Sequence, residues 1–399
     1  MDQIKTVLNR GVHTVYPSKE ELKKVLESGK KLTLYQGFDP TGDKLHIGHM
    51  VGLMKLADWQ ALGHRVIFLI GDGTGQAGDP SGKTKSRETF FTRDQLRQNA
   101  KDYVMQASKI VRFDGENAVE IRYNGDWLNK LGLTDILEIA EHFTLQQLVE
   151  RDLFQERMKK NEPVNLREFL YPLLQGYDSV AMEVDLEIGG TDQTFNMLVG
   201  RQLVKEYLNK DKFVMTTPLL ADSEGKKIGK TEGNAIAITD KPSDLYRKVM
   251  SFPDDVIMRA FEYLTRIPMD ELSSMEKALE NGENPMTFKK RLAFEIVKLL
   301  NTQQDADSAQ EAFEATVQRG ETPQDMKEVV LSDDDNEYID EDLLVQLNIA
   351  SSKADAKRLF QQGGVEVNGE KVVLERPVSV TDGMILRVGK RAVLKLRTP

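Results

Sequence analysis

The segment 32–70 admits few folds. Its ends, "LTLYQGF" (32–38) and "VIFLI" (66–70), are apolar runs of strand length. Between them "HIGHMVGLMKLADWQALGH" (46–64) places Val51, Met54, Leu56, Trp59 and Leu62 at helical spacing. Strand, helix and strand in close succession make a βαβ unit, whose crossover requires parallel neighbouring strands. "AVEIRYN" (118–124) and "EVDLEIGG" (183–190) are further strand candidates, so the fold class predicted for the first part of the chain is α/β with a parallel sheet.

The rest of the 399 residues separates by composition. Residues 132–181 look mainly helical, clearest in "LTDILEIAEHFTLQQLVERDLF", and are expected to form a helical insertion and a subunit interface. A polar, Gly-rich loop, "DSEGKKIGKTEGNAIAI" (222–238), leaves the sheet domain. Residues 243–320 read as helices, with Asn284 as a cap and Pro285 at the first helical position of one of them. "LSDDDNEYIDED" (331–342) reads as an acidic linker. The tail then opens with the capped helix "SSKADAKRLFQQGG" and a hairpin turning at Asn368-Gly369. Three domains are expected: 1–220, 221–330 and 331–399.

The net charge of −10 argues against a general nucleic-acid coat, but residues 351–399 carry ten Lys/Arg against five Asp/Glu. A basic tail on an acidic body suggests local contact with RNA or DNA. The absence of cysteine excludes disulfides, thiolate nucleophiles and Cys-ligated zinc. No apolar run reaches the ~18 residues of a membrane span, and the first residues lack a signal-peptide core, so a soluble cytoplasmic protein is expected.

Three stretches hold the candidate chemistry. In "GDGTGQAGDPSGKTKS" (71–86), Gly73, Gly75 and Gly78 have the spacing of a dinucleotide-binding turn, and Gly82-Lys83-Thr84 has the end of a phosphate loop. The first reading needs a helix opening at the turn and an acidic residue closing the next strand; here Asp79-Pro80 continues the loop and "RDQLRQNAKDYVMQ" follows. The second needs glycine where Ala77 stands. A plain Gly-rich turn competes with both. His46 and His49 share one face of a helix's first turn, where unpaired N–H groups and the dipole favour phosphate. A polar cap is the blander explanation, and no third ligand lies at metal spacing. Lys226, Lys227, Lys230 and Thr231, taken alone, are a solvated charge run. Asp178 and Asp192, taken alone, are a strand-end or helix-cap pair.

Together these segments resemble the class I aminoacyl-tRNA synthetases, whose signatures are HIGH and a KMSKS loop. His46-Ile47-Gly48-His49 is the first intact; Lys227-Ile228-Gly229-Lys230-Thr231 is a variant of the second. "YQGFDPT" (35–41), "YPLLQGYDS" (171–179) and "EIGGTDQ" (187–193) narrow the resemblance to the bacterial-type tyrosyl enzymes. The tail resembles the small α+β RNA-binding module named after ribosomal protein S-four. The tryptophanyl enzymes are the neighbouring alternative, but they usually lack this tail and the Tyr171, Gln175, Asp178 pattern.

The resemblance implies a Rossmann-like catalytic domain, an α-helical anticodon-binding domain and the S-four-like tail. It implies that tyrosine and ATP, with Mg²⁺ accompanying the nucleotide, give tyrosyl-adenylate, and that tyrosine then passes to tRNA(Tyr). The family is homodimeric. By resemblance Thr41, His46, His49, Lys227, Lys230 and Thr231 act on the phosphates. Gly37, Asp39, Gly48, Gly190 and Asp192 face ATP together with His46, His49 and Lys230. Tyr35 and Asp178 take the phenol, and Asp79, Tyr171, Gln175 and Gln193 take the amino-acid end. Glu187 departs from the glutamine of many relatives, a change that either alters hydrogen bonding behind the pocket or only marks a subfamily. An RNA-binding protein that has lost chemistry, and a dinucleotide oxidoreductase, are the competing classes.

Overall fold

The computed structural model describes residues 3–42, 44–81, 90–149, 152–225, 227–228, 235–318, 327–331, 338–376, 378–389 and 392–398. They fall into two compact units, 1–307 and 308–399.

The first unit is built on six strands: β1 (Thr14–Tyr16), β2 (Thr33–Phe38), β3 (Arg65–Ile70), β4 (Glu120–Tyr123), β5 (Leu186–Gly190) and β6 (Phe213–Thr217). Their order across the sheet is β1-β6-β5-β2-β3-β4, and every pairing is parallel except β1 with β6. Val66 to Ile70 are all buried, as expected of a strand covered on both faces. The chain runs β2, β3, β4 to one side and returns through β5 and β6 on the other. The strand order therefore reverses between β2 and β5, and in such sheets the crevice beyond the strand C-termini at that point receives ligands. β1 and β6 are not legible in the sequence: the first is three residues long, and the second, "FVMTT", mixes apolar residues with threonine.

The helix Ile47–Ala61 crosses from β2 to β3 with ten buried residues, Met50, Leu53, Leu56 and Trp59 among them. The long helical stretch anticipated after 132 is interrupted. It forms Leu133–Glu141, Leu145–Val149 and Asp152–Lys159, because Thr144 and Gln147 make a reciprocal capping box that starts a new helix. Among the described residues of the 71–86 stretch, 71–81, there is one helical turn, Thr74–Ala77, closed by Gly78 at φ 84°. No helix is expected there from sequence, and one turn is all that forms before Asp79-Pro80.

The helices Leu166–Ala181 and Thr194–Leu208 pack at glycines. A Cβ on Gly176 would lie 2.8 Å from Val199 Cγ1 and 3.1 Å from the Gly200 nitrogen. Helices Pro242–Met250, Ile257–Leu264, Met269–Glu280 and Pro285–Leu300 belong to this same unit. Asn284 caps the last of them, its side chain accepting from the Met286 N–H at 3.0 Å.

The second unit carries a five-stranded sheet ordered β7-β11-β10-β8-β9. The strands are β7 (Lys327–Val330), β8 (Val365–Val367), β9 (Glu370–Lys371), β10 (Ile385–Val388) and β11 (Ala392–Arg397). Asn368 and Gly369 both have positive φ, 51° and 89°, the two-residue turn expected between β8 and β9. Ser352 caps the helix Lys353–Gln361. β7 pairs with β11 and precedes the acidic stretch, so the sheet of this unit begins before residue 331. Of that stretch, 332–337 lie outside the described residues, while Ile339 is buried and Asp340 caps the helix Glu341–Gln346.

Candidate active site

The crevice at the strand reversal is a cavity of about 300 Å³, within the range of small-molecule sites. At its floor lie Tyr35, from β2, and Asp178, from the helix Leu166–Ala181, both essentially without exposure. Asp178 accepts from Trp127 Nε1 at 2.8 Å and from Asn124 Nδ2 at 3.0 Å. Burial pushes this carboxyl well above the ordinary range, and the two donors oppose the shift. The Tyr35 hydroxyl lies 2.8 Å from Ser179 Oγ, and burial raises its pKa well above that of a free phenol. A phenol group seated here meets a hydroxyl and a carboxyl, both held in place by other side chains.

Further out, acceptors converge. Tyr171 donates its proton to Asp39 Oδ2 at 2.9 Å, which leaves the phenolic oxygen as an acceptor. Gln175 donates Nε2 to Glu187 Oε1 at 3.0 Å, so its carbonyl oxygen is the end left for other partners, Asn196 Nδ2 being one at 3.0 Å. Asp79 accepts from the Ser81 N–H and from Gln193 Nε2, each at 2.8 Å. Gln193 is held in turn by Asn196 Nδ2 at 2.8 Å. One carboxylate and two neutral oxygens lining one wall suit an ammonium group.

Asp39 shows what the 71–86 stretch is for. Thr74 Oγ1 donates to Asp39 Oδ1 at 2.7 Å, and a Cβ on Gly71 would stand 1.8 Å from that same oxygen. The glycine that matters is Gly71, ahead of the three with dinucleotide spacing, because a carboxylate occupies the place of its side chain. Gly82, Lys83 and Thr84 lie outside the described residues.

At the mouth, His46 is the N-cap of the helix Ile47–Ala61 and His49 its third residue. His46 Nδ1 accepts from the Gly48 N–H at 3.1 Å, and His49 Nδ1 accepts from the His46 N–H at 3.1 Å. A ring nitrogen that accepts carries no proton, so each ring bears its N–H on Nε2, as a donor. The polar-cap explanation and the phosphate-seat explanation therefore coexist: capping is what presents the two donors. The segment after the lysine loop is stitched to this helix start, Ile47 N donating to Ile236 O at 2.9 Å and Ile238 N to Leu45 O at 3.0 Å. Lys227 reaches the cavity, with Nζ 3.0 Å from Asp192 Oδ2. Thr41, Gly37, Gly48 and Gly190 line it as well. Lys226, Gly229, Lys230 and Thr231 lie outside the described residues.

The cavity thus gathers every anticipated site residue that the structure describes. Sequence reasoning missed those behind them: Asn124 and Trp127 on Asp178, Asn196 between Gln175 and Gln193, and the pair Ser179 and Lys212. Asn124 follows directly on β4, at a strand C-terminus, which is a usable signal; Lys212 in "NKDKFV" looks like solvated charge.

Comparison with known proteins agrees with this geometry. A family model described as "tRNA synthetases class I (W and Y)" matches residues 27–318. The chain is 41% identical to the tyrosine–tRNA ligase of Dehalococcoides mccartyi (strain CBDB1), over 99% of this chain and 98% of that protein. It is 40% identical to the tyrosine–tRNA ligase of Thermotoga maritima, over 99% and 97%. Among solved structures, a C-terminally truncated mitochondrial tyrosyl-tRNA synthetase of Aspergillus nidulans superposes with a TM-score of 0.66 at 27% identity, over 77% of this chain and 92% of that one. A Rossmann-like α/β fold, a HIGH helix start and a cavity at the strand reversal are thus accounted for together: the chain belongs to the class I tRNA synthetases, in the tyrosyl family.

Proposed function

We infer that this chain joins L-tyrosine to ATP, giving tyrosyl-adenylate and pyrophosphate, and then transfers the tyrosyl group to the 3′ end of tRNA(Tyr). The observation that carries the assignment of the site is the buried Tyr35–Asp178 pair at the floor of the same cavity whose mouth holds the two histidine donors. Tyrosine enters with its phenol against Tyr35 and Asp178. Its ammonium rests against Asp79, Tyr171 and Gln175, with Gln193 holding Asp79 in place. The carboxylate is ionised at neutral pH and attacks the α-phosphorus directly; the bond to the bridging oxygen breaks and pyrophosphate leaves, so no general base is required.

Catalysis then rests on positioning and on stabilising charge at the departing phosphates. Thr41 and the Nε2–H groups of His46 and His49 face that charge, with Lys227, Lys230 and Thr231 closing on the pyrophosphate. Gly37, Asp39, Gly48, Gly190 and Asp192 accommodate the nucleotide, and Mg²⁺ enters with ATP as part of the substrate. Lys227 exchanges Asp192 for phosphate as ATP arrives. Discrimination against phenylalanine follows from leaving the floor pair without its hydroxyl. The tyrosyl-tRNA synthetases are themselves the established example of such rejection, by ~10⁵.

We assign 1–220 to adenylate chemistry, 221–307 to the lysine loop and anticodon contact, and the second unit, 308–399, to RNA binding. The enzyme is a cytoplasmic homodimer on this reading. Among the described residues no helix is long and apolar enough to cross a membrane. Leu133, Leu137, Leu145 and Leu166 are 76%, 60%, 63% and 73% exposed, an apolar surface that a second copy would cover. Pyrophosphate exchange with each amino acid tests the assignment: exchange should depend on tyrosine, and its absence refutes the reading.

A further inference from the structure

Behind the amino-acid wall lies a charge that the reaction does not use. The Lys212 side chain has no exposure, and its ammonium has three acceptors for its three protons: Glu187 Oε2, Ser179 Oγ at 2.6 Å and the Met197 carbonyl at 3.3 Å. The fold makes room for it. A Cβ on Gly200 would stand 2.7 Å from Nζ and 2.9 Å from Ser179 Oγ, so glycine at 200 leaves the space that the ammonium fills. A buried ion pair is a weak source of stability, since desolvating two charges offsets most of their attraction. What it does supply is hydrogen-bond polarity.

Glu187 faces Lys212 on one oxygen and Gln175 on the other. A carboxylate only accepts, so Gln175 must turn its amide N–H to Glu187 and keep its oxygen for an ammonium. Ser179 accepts from Lys212 and donates to Glu187 at 3.3 Å, so the Tyr35 hydroxyl, 2.8 Å away, is the donor to Ser179. Its oxygen is then left as an acceptor toward the cavity. One buried cation thereby sets the direction of hydrogen bonds at both ends of the amino-acid site. Asn196, whose two N–H bonds go to Gln175 and Gln193, carries the same ordering on to Asp79.

We propose that Lys212 is a positioning residue for tyrosine: it balances the buried Glu187 carboxylate and so orients Gln175 and, through Ser179, Tyr35. The proposal rests on the cavity being the tyrosine site. A glutamine at 187 beside an uncharged residue at 212 would keep its oxygen for the Gln175 N–H, so the direction at Gln175 is held without a buried charge, while Ser179 loses its acceptor and the direction at Tyr35 is no longer imposed.

The test is tyrosine- and ATP-dependent pyrophosphate exchange on the full chain, for the wild type, Lys212→Met, Glu187→Gln and the double variant. Lys212→Met should raise the KM for tyrosine about tenfold or more, the scale of a lost charged hydrogen bond, while the KM for ATP stays within about twofold. The double variant should recover most of the tyrosine KM lost in Lys212→Met, because no unpaired charge remains and Gln175 keeps its direction. Equal changes in both KM values, an unchanged tyrosine KM, or a double variant no better than Lys212→Met would overturn the proposal. If Lys212→Met does not fold, Gly200→Ala displaces the ammonium while keeping its charge. It must then show the same split between tyrosine and ATP, and a uniform loss or no change overturns the proposal. Asp79→Asn is run alongside. If it leaves the tyrosine KM unchanged, the site reading itself fails; if it raises that KM while Lys212→Met does not, only the role of Lys212 fails.

Discussion

A buried carboxyl with a donor on each oxygen has no freedom to turn, and Asp178 is such a group. Trp127 supplies one of those donors from the start of the same β4-to-β5 connection whose end carries Asp178, so Trp127→Phe removes a hydrogen bond with little change of volume. The expected result is a fall of about tenfold in the tyrosine-to-phenylalanine ratio of kcat/KM, measured by exchange with each amino acid. An unchanged ratio would make Trp127 packing only. His64 gives a pH effect away from the site. Its Nδ1 accepts from the Leu32 N–H at 3.1 Å, and burial together with the Lys31 charge lowers its pKa to about 4. Between that value and the unfolded value near 6.5 the unfolded chain binds the extra proton, so stability is whole above pH 6.5 and falls as pH drops toward 4. At pH 4.5 the loss from this group is about 2–3 kcal/mol, and urea midpoints of His64→Asn should be flatter than wild type across that window. At this scale His46 and His49 were legible because their spacing marks them, and Asp79 and Asp178 only through the resemblance of their segments to a known family. Lys212 and Asn196 were not, because nothing local distinguishes a buried lysine or asparagine from an exposed one.

The helices Leu166–Ala181 and Thr194–Leu208 carry Tyr171, Gln175, Asp178, Ser179 and Asn196, so their separation sets the width of the amino-acid wall. Gly176 and Gly200 set that separation. Gly176→Ala places a methyl against Val199 and the Gly200 backbone, which no rotamer change relieves. It should cost about 1–3 kcal/mol in denaturant unfolding and weaken tyrosine binding at the same time. A stability loss with tyrosine affinity intact would show that the helix spacing does not control the wall. Caps and glycine turns made several elements readable from sequence: Asn284 with Pro285, Ser352, and Asn368-Gly369 all behave as their chemistry requires. The same rule accounts for the break within 132–154, where Thr144 and Gln147 form a start signal inside what periodicity alone reads as one helix.

For the whole molecule, the division into 1–307 and 308–399 suggests where the chain can be cut. A chain ending at Gln318 keeps the helix Gln303–Phe313 and removes all five strands of the second sheet. It should retain tyrosine-dependent pyrophosphate exchange and lose at least about tenfold in tRNA charging, in line with the loss of a basic phosphate-contacting surface. Unchanged charging would refute the role given to the tail. If the protein is the homodimer proposed above, Leu137→Glu, at one of the exposed leucines within 132–181, should shift it to monomer in sedimentation; a persistent dimer would move the interface elsewhere.

Four of the six strands of the first sheet, its mainly parallel character and the chemical kinds of group at the site are readable in the chain itself. Periodicity, caps and signature spacing are written over a few consecutive residues, and class membership needs no more. The order β1-β6-β5-β2-β3-β4, and which groups meet behind the cavity, come from the folded chain alone. Asp178 meets Trp127 across 51 positions, and Glu187 meets Lys212 across 25. Burial and charge pairing depend on such distant contacts. For that reason the residues that line the cavity could be named from the sequence, while those that hold them from behind could not.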